Sequence, residues 1–155
     1  MDLIAELSAV VQQLEEQAIP YALCGGLAVA LHGYIRATQD IDLLIRPENL
    51  TAVKNAVEEI GYNLEGGVIP VGFGETHSCD VHRISKVLGK TLVTLDLVLV
   101  NPSLERAWES RLKYNLQGQH IWVVSREGLG VMKRLSHRPI DLIDLENLGI
   151  SADES

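Results

Sequence analysis

The chain has 155 residues, of which 46% are apolar and 22% charged, and its formal charge at pH 7 is −8. This length fits one globular domain, expected over 1–150 with a short tail at 151–155, and needs no disulfide or metal to stabilise its core. The acidic excess argues against broad binding to DNA through phosphate neutralisation. No apolar run reaches the roughly 18 residues of a membrane helix, and the first residues lack the basic start of a signal peptide. We therefore expect a cytoplasmic protein that does not enter a membrane.

The first part of the chain predicts a helix, a short strand, a glycine turn and a second helix. Apolar residues recur at helical spacing behind Asp2, a suitable N-cap, and this helix should end before Pro20. Residues 21–24 are typical of a short strand. The two glycines that follow break the pattern, and 27–32 form a helix that Gly33 ends.

The middle of the chain predicts two strands on either side of a helix. Residues 40–45 are rich in branched side chains and are typical of a strand. A helix follows, with Pro47 near its first turn and its apolar positions on one face. The glycine-rich stretch 61–74 reads as a loop. Residues 92–100 are almost continuously apolar and form the clearest strand of the sequence.

The last third alternates again between helices and strands. Residues 103–113 predict a helix, 120–124 a strand, and Ser125 the cap of a helix that carries Lys133. A final helix covers 139–148. This alternation favours an α/β domain of the mixed α+β kind, in which helices pack on a mixed β-sheet.

Two carboxylates share one face of the strand at 40–45. Because side chains alternate along a strand, Asp40 and Asp42 point the same way, about 6.5 to 7 Å apart. Such a pair can bind hard divalent cations, or it can be a solvated polar edge. Arg36 and Thr38 lie just before it and are candidates to orient a phosphate or a carboxylate, or else plain loop residues.

A third acid interrupts the most apolar strand. Asp96 is flanked by leucines, so it should lie near the centre of the sheet, where an ionised carboxylate must be paired, hydrogen-bonded or metal-bound, or take up a proton. Its partner is either a metal ion or an arginine such as Arg36 or Arg83. If all three acids converge, each like-charge pair at 4 Å costs about 4 kcal/mol at an effective dielectric near 20. A cation would remove that cost.

The glycine pair Gly25-Gly26 supplies the complementary half of a phosphate site. A strand leads into it and a helix leads out, and glycines let the backbone approach a ligand closely. One short helix separates this turn from the acid pair. We therefore expect the glycine turn and the carboxylates to meet at the same edge of the sheet.

These residues resemble the nucleotidyltransferases of the DNA polymerase beta superfamily. The resemblance rests on CGGLAVALHG at 24–33, RATQDIDLLI at 36–45 and the strand acid Asp96, so it spans roughly residues 19–100. It is closest to a small bacterial branch that includes abortive-infection type toxins and antibiotic-modifying enzymes. Many relatives have Gly-Ser where this chain has two glycines, which removes a hydroxyl contact here. Within these 155 residues we also expect no counterpart of the larger C-terminal helical domain that often binds the acceptor.

The resemblance implies roles for five residues. Gly25 and Gly26 would cradle the nucleoside triphosphate, while Asp40, Asp42 and Asp96 would hold two Mg²⁺ ions. Asp96 would ligate the ion on the attacking side and accept the proton of the acceptor. The implied reaction moves a nucleoside monophosphate from an NTP to an acceptor hydroxyl or phosphate and releases pyrophosphate.

A weaker resemblance continues into the segment 133–148. It implies that Lys133 contacts the phosphates. The alternative is that Lys133 and Arg138 are solvated helix charges, while Asp141 and Asp144 only favour a helix N-terminus.

The acceptor is left open by the sequence and could be a small molecule, an RNA or a protein. A short chain could also complete its acceptor site with a protein partner or a second copy. Two other functions stay open: a non-catalytic module that binds nucleotide or protein on the same fold, and a glycosyltransferase that uses Asp-x-Asp as its metal motif. The second accounts neither for the glycine turn nor for Asp96.

Overall fold

The computed structural model describes residues 2–34, 38–72, 78–136 and 139–150. For residues 70–72, 78–79 and 136 it describes the backbone. In these ranges the elements follow in the order α1 (Leu3–Glu16), β1 (Ala22–Cys24), α2 (Gly25–Leu31), β2 (Asp40–Ile45), α3 (Leu50–Glu58), β3 (Leu64–Gly72), β4 (Ser78–Leu88), β5 (Thr91–Leu99), α4 (Glu105–Glu109), β6 (Leu112–Leu116), β7 (Gln119–Val123), α5 (Arg126–Ser136) and α6 (Pro139–Leu148). Short 3-10 turns at Pro47–Asn49 and Pro102–Leu104 precede α3 and α4.

The strands form one seven-stranded mixed sheet in the order β3-β4-β5-β2-β1-β7-β6. The pairs β2/β5 and β1/β7 are parallel, and the other neighbours are antiparallel. This arrangement confirms the mixed α/β fold expected from the sequence. Within the described ranges, no helix is long and apolar enough to cross a membrane.

One face of the two central strands β2 and β5 is fully buried. Ile41 and Leu43 lie directly beside Leu95 and Leu97, and all four side chains have no solvent exposure. Helix α1 lies over this face. Its Glu6 forms an ion pair with Lys86 of β4, and the side chain of Lys86 is on the same side of the sheet as Leu95 and Leu97. Burial of these residues leaves the alternate positions of both strands on the opposite face.

Several predicted elements have the expected bounds and caps. The strand at 40–45 and the helix at 139–148 match β2 and α6 residue by residue. Asp2 caps α1, where its Oδ1 accepts a hydrogen bond from the Ala5 N–H at 3.1 Å. Ser125 caps α5, where its Oγ accepts from the Gly128 N–H at 2.9 Å.

Three predicted elements were wrong. The stretch 61–74 is mostly the edge strand β3 and not a loop, and β4 beside it was not predicted. The helix expected over 103–113 ends at Glu109, after which the chain turns into β6. Helix α2 starts two residues early and includes both glycines in its first turn. In each case pairing with a neighbouring strand or packing outweighs the local preference of the sequence.

Candidate active site

The opposite, partly buried face of β2 and β5 brings the three predicted acids together. Asp42 is the register partner of Asp96, so their backbones lie one strand spacing apart, about 4.8 Å, and their side chains share a face. Asp40 lies two residues along β2 on that face, beside Thr94. The structure therefore confirms the expectation that Asp96 lies on the same side of the sheet as the acid pair.

The glycine turn meets these carboxylates directly. Gly25 follows β1, which pairs with β2 so that Cys24 lies opposite Asp42. Gly25 has φ +68°, and a Cβ built on it would overlap the Oδ2 of Asp42 and lie 2.7 Å from its Cγ. Only glycine allows both this backbone conformation and this approach. The carboxylate of Asp42 therefore packs on bare backbone.

Arg83 of β4 is the partner of Asp96. Its Nε donates to Oδ1 at 2.9 Å and its Nη2 donates to Oδ2 at 3.0 Å, a bidentate ion pair across neighbouring strands. The Asp96 side chain is only 8% exposed, whereas that of Arg83 is 39% exposed. Of the two arginines that the sequence offered as partners, Arg83 is confirmed, and Arg36 lies outside the described residues.

Gly66 of β3, which the sequence analysis missed, contacts the side chain of Arg83. Gly66 lies in an irregular part of β3, where the pairing with β4 shifts between Glu65 and Val68. A Cβ on Gly66 would lie 2.7 Å from the Cγ of Arg83, so the arginine stem rests against a position without a side chain. The Gly66-Gly67 pair within a strand is the sequence signal that could have indicated this contact.

Burial, hydrogen bonds and neighbouring charges shift the pKa values of Asp40 and Arg83. Burial raises the pKa of Asp40 above its usual value, the negative charge of Asp96 raises it further, and the positive charge of Arg83 opposes the shift. The hydrogen bonds to Asp96 raise the pKa of Arg83, and the charges of Asp96, Asp40 and Asp42 add to that effect. The site is thus an acidic cluster that contains the positive charge of Arg83.

The donor chemistry of this cluster suits a hard divalent cation, which prefers carboxylate oxygens. In the part of the chain that the structure describes, however, no three or more His, Cys, Asp or Glu side chains gather around a common metal position. The acids fit a cation by type, by shared face and by their contact with bare backbone at Gly25. Their side chains must still converge, and Arg83 already neutralises Asp96.

The other predicted nucleotide-binding residues differ in how the structure places them. Thr38 donates from Oγ1 to the backbone oxygen of Asp40 at 3.4 Å, just before β2. Gly26 is buried in the first turn of α2.

Lys133 lies in a buried ion cluster between α5 and α6. Its Nζ is 3.2 Å from Oδ1 of Asp141 and 3.0 Å from Oδ2 of Asp144, and all three residues are nearly inaccessible to solvent. The interpretation of Lys133 as a solvated helix charge is therefore wrong, and Arg138 lies outside the described residues. Asp141 does lie in the first turn of α6, as expected of an acid near a helix N-terminus, but it is buried and paired with Lys133. The ion pairs tie the last two helices together.

The fold and this site define a nucleotidyltransferase domain: a mixed sheet with an Asp-x-Asp strand, a third acid on its parallel neighbour and a glycine turn packed on the pair. The chain belongs to the family NTP_transf_5, described as "Uncharacterised nucleotidyltransferase", whose model matches residues 1–129. No match was found among curated protein sequences.

Solved structures with the same fold include a lincosamide antibiotic adenylyltransferase and a protein in complex with adenylyl-2''-tobramycin. The lincosamide adenylyltransferase LnuA, with lincomycin bound, is 22% identical with a TM-score of 0.61, and the match covers 94% of this chain and 95% of LnuA. ANT(2'')-Ia in complex with adenylyl-2''-tobramycin is 15% identical with a TM-score of 0.51, covering 83% and 72%. TM1012 from Thermotoga maritima is 14% identical with a TM-score of 0.58, covering 95% and 88%. These similarities confirm the fold.

The contact between Gly25 and Asp42 predicts an effect on stability. Gly25→Ala should lower the free energy of unfolding by more than Gly33→Ala does, because the new methyl group meets the carboxylate of Asp42. Gly33 also has positive φ, +103°, but no atom lies within 4 Å of its Cβ position, so its substitution reports only the backbone strain of about 1–3 kcal/mol. Urea unfolding of both variants measures the difference, and equal losses would contradict the contact.

The buried cluster between α5 and α6 predicts a large effect of Lys133. Lys133→Ala should lower the free energy of unfolding by about 3–5 kcal/mol, because it removes the amine shared by two buried carboxylates. The control is Lys54→Ala, which removes an exposed ion pair with Glu65 and should change stability by about 1 kcal/mol or less. A loss at Lys133 no larger than at Lys54 in thermal or urea unfolding would rule out this role.

Proposed function

We propose that the chain transfers a nucleoside monophosphate from a Mg²⁺-bound NTP to an acceptor hydroxyl or phosphate and releases pyrophosphate. The observation that carries this proposal is the placement of Asp40, Asp42 and Asp96 on one face of two parallel strands, with the backbone of Gly25 against Asp42. Membership of a nucleotidyltransferase family supports the reaction class. Mg²⁺, the donor base and the acceptor belong to the proposal.

The three acids take distinct roles in this proposal. Asp40 and Asp42 lie two residues apart on one strand and would hold two Mg²⁺ ions between them. Asp96 would hold the ion nearer the attacking oxygen. When bound, the ions neutralise charge on the triphosphate and activate the acceptor oxygen. Asp96 would also accept the proton that the acceptor loses, because proximity to the attacking oxygen governs that step.

The triphosphate would lie against the glycine turn. Gly25 and Gly26 have no side chains to keep a phosphate away from the backbone, and Gly25 is partly exposed beside Asp42. Arg36 and Thr38 precede β2 and would orient a phosphate there. Contact of Lys133 with phosphate has the least support, since its amine would have to leave two buried carboxylates.

The acceptor is proposed to carry a free hydroxyl. The structural neighbours LnuA and ANT(2'')-Ia are an antibiotic adenylyltransferase bound to lincomycin and a protein bound to an adenylylated aminoglycoside, which favours a small hydroxylated molecule as acceptor and ATP as donor. An RNA or a protein acceptor remains part of the proposal. A second subunit or a protein partner could complete the acceptor side.

A non-catalytic nucleotide-binding module is the second candidate, and one observation favours it. Asp96, the proposed proton acceptor, is already paired with Arg83 on both carboxylate oxygens. Such a module would bind nucleotide without turnover, which calorimetry with each NTP detects. A glycosyltransferase of the Asp-x-Asp type is disfavoured, because the chain belongs to a nucleotidyltransferase family.

The proposed activity predicts that Asp42→Asn stops nucleotide transfer. Each NTP, labelled at the α-phosphate, is incubated with the protein, Mg²⁺ and panels of hydroxylated antibiotics, RNA and protein. The wild type should label an acceptor, and Asp42→Asn should fall to background because it loses a carboxylate charge from the site. The control is Asp2→Asn, which makes the same chemical change at the cap of α1, where asparagine serves equally well. Equal labelling by wild type and Asp42→Asn would contradict the proposal.

A further inference from the structure

Arg83 puts a permanent positive charge where the proposed function needs a divalent cation. We propose that Arg83 competes with the divalent cation for Asp96, so that Asp96 takes up a cation only after a nucleotide has drawn the guanidinium away. This inference rests on the proposed function. It makes Arg83 the residue that couples cation binding at Asp96 to the presence of the triphosphate.

The geometry leaves little room for two cations at Asp96. Both of its carboxylate oxygens accept hydrogen bonds from Arg83, at 2.9 and 3.0 Å, and the side chain is only 8% exposed. A metal ion at Asp96 must therefore share these oxygens with the guanidinium. An arginine side chain stays charged at any working pH, so it repels the incoming ion for as long as it remains there.

The arginine is anchored at its base and accessible at its tip. Its backbone is fixed opposite Asp96 by the β4/β5 register, and its Cγ lies against Gly66 of β3. Its side chain is nevertheless 39% exposed. The guanidinium can thus swing away from Asp96 while the rest of the residue keeps its place.

The charges of the site hold Arg83 in place until a bound nucleotide offers its guanidinium another partner. Asp40, Asp42 and Asp96 carry three negative charges against the one positive charge of Arg83, and all three acids act on its pKa. Nothing within this set favours release of the arginine. A bound triphosphate offers the guanidinium a second bidentate oxygen partner, which arginine binds as readily as it binds a carboxylate. Asp96 is then free for the cation that accompanies the nucleotide.

The test is a calorimetric titration of the nucleotide-free protein with Mn²⁺ alone. Arg83→Gln removes the competing charge and should bind Mn²⁺ at least about tenfold more tightly than the wild type. The matched control is Arg46→Gln, because Arg46 makes the same kind of bidentate pair, with Glu105, outside the site. Its affinity for Mn²⁺ should equal that of the wild type. Asp96→Asn added to Arg83→Gln should remove the gain.

Thermal unfolding of each variant shows that the titrated protein is folded. If Arg83→Gln does not fold, Arg83→Lys is used, because lysine keeps the positive charge but cannot form the pair of parallel hydrogen bonds to Asp96. Its affinity should then exceed that of the wild type by a smaller factor. An affinity equal to or weaker than that of the wild type, in a folded variant at position 83, overturns the inference.

A second titration separates this inference from the proposed function. Wild-type protein with a nonhydrolysable NTP should bind Mn²⁺ more tightly than it does without nucleotide. If the wild type transfers nucleotide but Arg83→Gln shows no gain in nucleotide-free affinity, only the inference fails. If the wild type neither transfers nucleotide nor binds Mn²⁺ with the NTP present, the proposed function fails, and the inference fails with it.

Discussion

Burial of one face of β2 and β5 determines where the chemistry of this protein lies. Ile41, Leu43, Leu95 and Leu97 are fully buried side by side, and a slip of one residue in either strand would exchange them for the acids. Burying unpaired carboxylates in their place would be strongly unfavourable, so the hydrophobic face holds the register. The acids consequently share the opposite face without needing any specific interaction to bring them there.

The opposite face combines features that would each be unfavourable alone. Asp96 is nearly buried, Asp40 is partly desolvated, and Gly25 adopts a backbone conformation that other residues avoid. Arg83 offsets part of the negative charge, which keeps this acidic face compatible with folding before any ligand binds. Local conflicts of this kind, within an otherwise well-packed sheet, are typical of functional sites.

The sequence predicted the centre of the fold better than its edges. Strand β2 and the acid pair were found because branched residues and period-two alternation agree there. Strands β3 and β4 were missed because Gly66-Gly67 and the polar residues of β4 are not typical of a strand. They form because β4 pairs with β5 and β3 pairs with β4. The pairing of Arg83 with Asp96 could be identified only from the β4/β5 register, and the burial of Lys133 only from the packing of α5 on α6. Both depend on contacts between segments that are distant in sequence, and no single-sequence pattern carries them.

We propose that the acid face and the glycine turn together form a polyphosphate and cation site. A crystal structure of the protein with Mg²⁺ and a nonhydrolysable NTP would show whether they do. We expect cation density between the nucleotide and Asp40 and Asp42, with the triphosphate against the backbone of Gly25 and Gly26. Ordered nucleotide bound elsewhere, with no cation at the acids, would contradict it.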